Sequence, residues 1–230
     1  MPSDELPDWE RVLSAAARLQ EILPDAVLVG GTAAAVHARH RLSRDADHVV
    51  TDLRQRFDAV LAQLEAVAGW KTARVQRPVM ILGSLDGIET GVRQLIRTQP
   101  LETRVIDYGG QQITIPTATE TLRIKGALIL KRNATRDYVD FVALADHLGD
   151  AGVVEALKGF DRLYPQDNGE SALQQLQVQL AAPLPYDLAD INLSEYRDLK
   201  PRWHEWSALS GACQRIAILI FDRIVGDTAD

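Results

Sequence analysis

Hydrophobic residues recur at helical spacing in the first segment of the chain. One face of this segment carries six apolar residues: Trp9, Val12, Leu13, Ala16, Leu19 and Leu23. This pattern predicts an amphipathic helix that ends near Pro24. The apolar run at 26–29, closed by Gly30-Gly31, predicts a short buried strand and a tight turn. An alanine-rich stretch at 32–40 predicts a helix, and residues 44–50 predict a second strand.

The next part of the chain alternates between helical and strand patterns. Residues 52–68 place apolar side chains on one face and predict another helix. Short β-prone runs follow at 79–82 and 88–96. The pair Gly109-Gly110 lies between two such runs in 103–115, a strong signal for a β-hairpin. These elements predict a mixed α/β unit whose later strands are largely antiparallel.

The pattern becomes helical after Pro116. Thr117 and Glu120 have capping-box spacing, which predicts a helix that runs to about Arg132. A second helix is predicted over 135–148, followed by further helices and loops. We therefore predict an α+β protein in which residues 1–116 form a mixed-sheet core with flanking helices. Residues 117–230 form a helical C-terminal domain.

The charge of the chain is unevenly distributed. The 230 residues have the balance of a globular protein, with 46% hydrophobic and 25% charged residues and a net charge of −7. A general nucleic-acid coat is disfavoured by this charge. Residues 93–136 nevertheless carry eight basic residues against three acidic ones, so this sector has a net charge of +5 and the remainder −12. Such a sector suits a local polyanion, such as a triphosphate or an RNA end, or it is a chance cluster of surface charge.

Several features favour a cytoplasmic protein. Cys213 is the single cysteine, so no intrachain disulfide forms and a reducing compartment is expected. The acidic segment Met1–Leu6 lacks the features of a signal peptide. The longest apolar run, 216–221, is far shorter than the roughly 20 residues that a membrane span needs.

The Gly30-Gly31-Thr32 segment is the first candidate for chemistry. Two glycines between a strand and a helix let the backbone approach a ligand closely, because no Cβ intervenes. The N-terminus of the following helix offers N–H groups to an anion. Thr32 adds a hydroxyl at the cap position. The segment is therefore a candidate phosphate-binding turn, although a Gly-Gly pair is also a common plain turn.

Asp45 and Asp47 are the second candidate. Residues two apart on a strand point to the same face, so both carboxylates project together. Mg²⁺ is bound by one or two carboxylates plus substrate phosphates, and it would compensate their mutual repulsion. The alternative is an exposed acidic strand edge. Arg41 and Ser43, just upstream, either contact phosphate or brace the loop. Together with the glycine turn, this arrangement suits phosphoryl-group chemistry.

With these motifs the chain resembles the nucleotidyltransferase superfamily, specifically the AbiEii-type toxins of type IV toxin–antitoxin systems. The resemblance rests on Gly30-Gly31-Thr32, on Arg41-x-Ser43-x-Asp45-x-Asp47, and on a helical motif that begins at Lys125. The latter continues through Lys131-Arg132 to Arg136-Asp137-Tyr138-Val139-Asp140. The resemblance implies a polymerase-β-like fold. It also implies an enzyme that depends on Mg²⁺ and transfers a nucleoside monophosphate (NMP) from an NTP.

The resemblance also implies roles for individual residues. Asp45 and Asp47 hold Mg²⁺, and Gly30, Gly31 and Thr32 take the terminal phosphates. Lys125 neutralises the triphosphate, and Asp137 orients or deprotonates the acceptor. Because residues 122–130 are apolar almost all round, Lys125 is expected to be partly buried and to need an anionic partner. A structural ion pair between Lys125 and Asp137 or Asp140 is the alternative, and Asp140 is expected to be structural.

A third metal-binding carboxylate is less well defined. Glu89 is the best candidate, with Asp86 behind it, while Gly91 stands where the family puts an acid. The site therefore holds one or two Mg²⁺ ions.

Two other groups of residues are weaker candidates for binding. His37 and His40 have spacing for zinc but suit surface or nucleobase contacts better. Trp203, His204 and Trp206 offer a stacking platform for RNA, although burial in helical packing is favoured.

The leading hypothesis is a toxin that transfers an NMP to RNA, with tRNA 3′ ends as one acceptor class of the wider family, or to protein. A cognate antitoxin is the implied partner, and no membrane is involved. One alternative is transfer to a small molecule, as in antibiotic-modifying relatives. Another is a non-catalytic nucleotide-binding or interaction module.

Overall fold

The chain divides into two compact units. The computed structural model describes residues 8–225, so the segment Met1–Leu6 examined for a signal peptide lies outside the described residues. The first unit comprises Met1–Ala33 and Ser43–Thr117, and the second comprises Ala34–Leu42 and Ala118–Asp230. Residues 34–42, which the sequence argument placed in the core domain, thus group with the C-terminal helices.

The first unit follows the element order expected from the sequence. Its elements are α1 (Asp8–Ile22), β1 (Val27–Leu28), the start of α2 (Gly30–Ala38), β2 (Asp45–Val50), α3 (Leu53–Glu65), β3 (Trp70–Gln76), β4 (Met80–Leu85), β5 (Ile88–Gln94), β6 (Thr103–Tyr108) and β7 (Gln111–Pro116). The predicted hairpin is confirmed, with β6 and β7 joined at Gly109-Gly110. Gln20 of α1 both donates to the carbonyl of Thr114 and accepts from its N–H, which fixes β7 on α1.

Within residues 8–225, the other strands of this unit form a five-stranded sheet in the order β1-β2-β5-β4-β3. Strand β2 is parallel to β5, and the remaining neighbours are antiparallel. The sheet is therefore mixed, as predicted. A core that includes Leu19, Phe57 and Leu64 from the helical segments and Ile81 and Val92 from the strands covers one face of the sheet.

Strand β2 shows clean alternation across this sheet. Ala46, His48 and Val50 are buried, whereas Asp45 and Asp47 are half-buried on the opposite face. The predicted common face of the two carboxylates is thus confirmed, and it is the face away from the core. The physical cause is the period of two in a strand, since three buried positions leave the intervening residues on the other side.

The second unit is helical, as predicted. Its longer elements are α4 (Ala118–Arg132), α5 (Thr135–Leu157), α6 (Phe160–Leu163), α7 (Ala172–Ala181) and α8 (Trp206–Ile220). Helix α5 is interrupted at Gly149, which has a φ of 68°, next to the predicted end of this helix at 148. Gly126 in α4 allows close packing, because an added Cβ would stand 2.9 Å from a methyl carbon of Leu176. None of the helices in the described range is long and apolar enough to cross a membrane.

His48 gives the first unit a specific dependence on pH. Burial lowers the pKa of His48 to about 4, although backbone hydrogen bonds to Ala46 and Ala16 act to raise it. The unfolded chain has a histidine pKa near 6.5, so the unfolded state binds more protons between these values. The contribution of neutral His48 to the free energy of unfolding is therefore fully present above about pH 6.5 and is lost as the pH falls toward 4.

We predict that the free energy of unfolding falls by about 2 kcal/mol between pH 6.5 and 5 because of His48. His48→Gln cannot titrate and should flatten this part of the profile, measured by urea unfolding at each pH. His147→Gln, at an exposed position of α5, is the matched control and should retain the wild-type slope. Parallel profiles for wild type and His48→Gln would contradict the assignment.

Candidate active site

The glycine turn and the Asp47 carboxylate lie side by side in the first unit. Strands β1 and β2 are antiparallel, with Leu28 paired to His48, and the Val29 N–H donates to the Asp47 carbonyl at 2.8 Å. The next residue, Gly30, has a φ of +76°, a conformation that favours glycine. An added Cβ on Gly30 would stand 3.6 Å from Cβ and 3.8 Å from Oδ2 of Asp47. The start of α2 therefore opens directly beside this carboxylate.

Two hydroxyl groups fix the strand that carries the carboxylates. Ser43 donates to Oδ1 of Asp45 at 2.6 Å, and Ser43 is buried. Ser43 thus braces the site, one of the two roles considered for it. Thr32 donates to the backbone carbonyl of Asp45 and is fully buried. Helix α2 begins at Gly30, so Thr32 is its third residue and not its N-cap, contrary to the sequence argument. Its hydroxyl joins α2 to β2.

Asp47 faces a cation and a glycine. Nε of Arg93 lies 3.8 Å from Oδ1 of Asp47, and the two side chains are 43% and 29% exposed. Across the parallel pair, Asp47 is in register with Gly91. A Cβ added to Gly91 would stand 3.5 Å from Oδ1 of Asp47 but only 2.5 Å from Cδ2 of Leu82. Leu82 thus occupies the space that a third carboxylate at position 91 would need.

The third carboxylate is not assembled with the other two. Glu89 is in register with Asp45 and is exposed, and Asp86 forms an ion pair with Arg18 of α1. Among residues 8–225, no group of three or more His, Cys, Asp or Glu side chains is arranged to hold a metal ion. Asp45 and Asp47, with oxygen donors on one accessible face, fit the site type in which Mg²⁺ takes two carboxylates and completes its shell with substrate oxygens and water.

The second unit contains a buried ion-pair cluster, formed by His40, Arg41, Lys125, Arg132, Asp137 and Asp140. Nζ of Lys125 lies 3.1 Å from Oδ1 of Asp137 and 2.7 Å from Oδ2 of Asp140. Both carboxylates are fully buried, and the Lys125 side chain is 2% exposed. The predicted burial of Lys125 is confirmed. The ammonium group of Lys125 forms ion pairs with both aspartates. The alternative drawn from the sequence, a structural ion pair of Lys125 with Asp137 or Asp140, is therefore present.

Asp140 is the centre of this cluster. Arg41 binds it in a bidentate manner, with Nε at 2.8 Å from Oδ1 and Nη2 at 3.1 Å from Oδ2. Nε2 of His40 lies 2.8 Å from the same Oδ1. Burial by itself raises the pKa of Asp140, but Arg41, Lys125 and His40 hold it well below its ordinary value. The expected structural role of Asp140 is therefore seen, and Arg41 braces the loop that precedes Ser43. Arg132 donates to both oxygens of Asp137.

Several other residues that were singled out from the sequence lie in places that the sequence did not predict. The basic sector 93–136 is not one surface, since Arg123 and Lys125 are buried and Arg97 donates to backbone carbonyls. His40 is fully buried, which corrects the expected surface position. The favoured burial of the 203–206 segment is seen at Trp203, whereas Trp206 is half-buried and its ring packs edge-on against Tyr138.

Comparison with known proteins identifies a family and a fold. Residues 11–219 match the family model described as Nucleotidyl transferase AbiEii toxin, Type IV TA system. The structure is similar to JHP933 from Helicobacter pylori, with a TM-score of 0.56, 14% identity, and coverage of 96% of this chain and 94% of that one. It is also similar to ANT(2″)-Ia in complex with adenylyl-2″-tobramycin, with a TM-score of 0.50, 10% identity, and coverage of 67% and 98%. These likenesses show the nucleotidyltransferase fold.

The sequence is also similar to part of a much longer protein. It is 30% identical over 238 residues to the heme uptake protein MmpL11 of Mycobacterium tuberculosis H37Rv, covering 94% of this chain. The chain spans about a quarter or less of the length of the curated relatives that it matches.

We predict that Asp140→Asn lowers the free energy of unfolding by about 3–5 kcal/mol. The buried positive charges of Arg41 and Lys125 then lose the carboxylate that binds both of them. The free energy of unfolding from urea titrations measures this effect. Asp146→Asn is the matched control on the same helix. Its partner Arg202 is about half exposed, so its loss should cost at most about 1 kcal/mol. Equal losses in the two variants would show that the buried cluster contributes no more than a surface ion pair.

Proposed function

The chain belongs to the AbiEii nucleotidyl transferase toxin family, and from this premise we propose that it transfers an NMP from a Mg²⁺-bound NTP to an acceptor hydroxyl. The observation that carries the proposal is the position of Gly30 against the Asp47 carboxylate, with Asp45 on the same face of β2. An anion-binding backbone turn and a pair of carboxylates at the same strand ends are what a metal-bound triphosphate requires.

In the proposed reaction the acceptor oxygen attacks the α-phosphorus of the NTP. A new oxygen–phosphorus bond forms, the bond to the bridging oxygen breaks and pyrophosphate leaves with its electron pair, and the proton of the acceptor hydroxyl passes to Asp137, the proposed base, or to water. The backbone N–H groups at the start of α2 would hold the departing phosphates. Ser43 would keep Asp45 oriented, and Thr32 would keep the turn joined to β2. Catalysis of this kind is mainly positioning and charge neutralisation.

Asp45 and Asp47 would hold Mg²⁺. The chemistry that bound Mg²⁺ supplies is neutralisation of the charge on the phosphate oxygens. Arg93, 3.8 Å from Asp47, is a cation that is in place beside the carboxylate. Among residues 8–225 no third acid is grouped with Asp45 and Asp47 to hold a metal ion, and the position in register with Asp47 is Gly91. The proposed site therefore depends on two carboxylates and substrate oxygens.

We propose Lys125 and Asp137 as catalytic residues because they match the helical motif of the family. Lys125 is bonded to both Asp137 and Asp140. A contact with a triphosphate would therefore require Lys125 to exchange one of these carboxylates for phosphate. The proposed acceptor is RNA, including tRNA 3′ ends, or protein, and the proposed partner is a cognate antitoxin.

We predict that Asp47→Asn lowers NMP transfer at least about 100-fold, because it removes a proposed metal ligand. The assay follows α-³²P label from each NTP onto total bacterial RNA or protein in the presence of Mg²⁺. Asp58→Asn, at a site whose side chain is 80% exposed on α3, is the control and should retain wild-type activity. EDTA should abolish transfer by the wild type.

Label that reaches RNA or protein equally well with Asp47→Asn would refute the proposed metal site. Label that reaches only small hydroxyl compounds would establish the antibiotic-type alternative. Nucleotide binding without any transfer would establish a non-catalytic module.

We further predict that Ser43→Ala lowers kcat by about 10- to 100-fold and weakens the apparent Mg²⁺ affinity, because Asp45 loses the hydrogen bond that orients it. Titration of activity against Mg²⁺ measures both effects. Ser84→Ala, a change of the same kind on β4, should leave the Mg²⁺ dependence unchanged. An unaltered Mg²⁺ dependence in Ser43→Ala would exclude a bracing role for the hydroxyl in catalysis.

A further inference from the structure

Within residues 8–225, the two sheets of the first unit end at strands β1, β3, β6 and β7. The edges at β1 and β3 are protected from pairing with a further strand. Strand β1 has only two residues. Strand β3 has a bulge between Thr72 and Arg74, and the side chains of Lys71 and Arg74 are exposed. Short strands, bulges and charged side chains all keep another strand from adding to an edge.

The edge at β7 is closed by a side chain. Gln20 of α1 donates to the Thr114 carbonyl and accepts from the Thr114 N–H, so both backbone groups of Thr114 point away from β6. Val105 lies opposite Thr114 in the hairpin. In an antiparallel pair, two opposite residues either exchange both hydrogen bonds or both point their backbone groups outward. The N–H and carbonyl of Val105 therefore point away from β7.

The edge at β6 has neither a bulge nor a side chain that closes it. Thr103 and Asp107 lie two positions from Val105, so their backbone groups also point outward. Within the described part of the chain, the outward N–H and carbonyl groups of these three residues have no hydrogen-bond partner. All three residues are exposed, and the apolar side chain of Val105 is 55% exposed. Strand β6 is thus ready to pair with another strand.

The residues of β6 are complementary to a second copy of β6. Two copies of one strand that pair antiparallel are related by a twofold axis, which passes between two copies of the same residue. With the axis at Val105, the two valines oppose each other and Thr103 opposes the Asp107 carboxylate of the second copy. On the other face, Arg104 opposes Ile106. All the outward backbone groups of 103–107 then meet, and three residue pairs each exchange two hydrogen bonds.

The neighbouring registers are less favourable. An axis at Arg104 sets two guanidinium groups opposite each other, and an axis at Asp107 does the same with two carboxylates. Like charges directly opposite each other are destabilising. An axis at Ile106 sets the apolar side chain of Val105 against Asp107, and an axis at Thr103 leaves most of β6 unpaired. The register centred on Val105 is therefore the one that β6 favours.

We propose that β6 pairs with β6 of a second copy of this chain, antiparallel and centred on Val105. The two hairpins form one four-stranded sheet in the order β7-β6-β6-β7. Because pairing over 103–107 buries much less than the roughly 1,200 Å² of a standard stable interface, the dissociation constant is in the micromolar range, about 10–100 µM. This pairing does not depend on the proposed transfer reaction.

Sedimentation velocity over about 1–500 µM protein, a range that spans the expected dissociation constant, tests the pairing. Val105→Pro should abolish association, because it removes an outward N–H that the hairpin does not use. Val105→Lys should also abolish association, because two ammonium groups then oppose each other at the axis. Val75→Lys is the matched control, since Val75 is a 37% exposed valine of the protected edge strand β3, and it should associate like the wild type.

A second pair of variants tests the register. Thr103→Lys places an ammonium group opposite the Asp107 carboxylate at both ends of the pairing, and should tighten association roughly 2- to 30-fold. Thr103→Glu places a carboxylate opposite Asp107 instead, and should weaken association by a similar factor. Both changes are made at an exposed position, so each variant is expected to fold like the wild type.

A wild-type chain that stays monomeric over the whole concentration range would overturn the proposal. Association that persists in both Val105→Pro and Val105→Lys would place the contact on another surface and would also overturn it. Changes of affinity in the same direction for Thr103→Lys and Thr103→Glu would refute the register centred on Val105. A chain that is monomeric by itself but binds a strand of another protein at β6 would overturn the assignment to a second copy.

Discussion

The antiparallel pairing of β1 with β2 is the contact on which the candidate site depends. It is short, with two residues in β1, and it is extended by the hydrogen bond from Val29 to Asp47. Because the two strands run in opposite directions, the end of β1 meets the beginning of β2. The left-handed conformation of Gly30 then turns the chain into α2 beside the carboxylate. A parallel pairing would have separated the turn from the aspartates by the length of a strand.

Charge is handled differently in the two units. On the open face of the sheet, the Asp47 side chain is 29% exposed and lies 3.8 Å from Nε of Arg93, so a cation in solution can approach it. In the buried cluster, Lys125 forms ion pairs with both Asp137 and Asp140. Arg132 forms a further ion pair with Asp137, and Arg41 forms one with Asp140. Burial makes an unpaired charge costly, and the same cost that fixes the buried cluster would oppose any ligand that competes for its members. Accessibility, more than residue type, therefore distinguishes the two sets of carboxylates.

Local patterns predicted much of this arrangement. The period of two in β2 placed Asp45 and Asp47 together, and the apolar surroundings of Lys125 predicted its burial. Partners that are distant in the chain were not predictable in the same way. Arg41 and Asp140 are 99 positions apart, and the registers of β2 with β5 and of β3 with β4 depend on pairing between segments. Thr32 was assigned to phosphate because its spacing suits a cap, whereas the actual start of α2 at Gly30 directs its hydroxyl to Asp45.

The contact between Leu82 and Gly91 bears on how this site can change during evolution. An acid at position 91 would stand next to Asp47, but its Cβ would overlap the methyl group of Leu82 and approach the carbonyl of Ile81 at 3.1 Å. Leu82 must therefore shrink or move before a carboxylate at 91 is tolerated. The two positions are therefore expected to be coupled, because an acid at 91 fits either when the Leu82 side chain turns aside or when a smaller residue replaces it. A substitution at 91 alone must displace Leu82, whereas a smaller residue at 82 removes that cost.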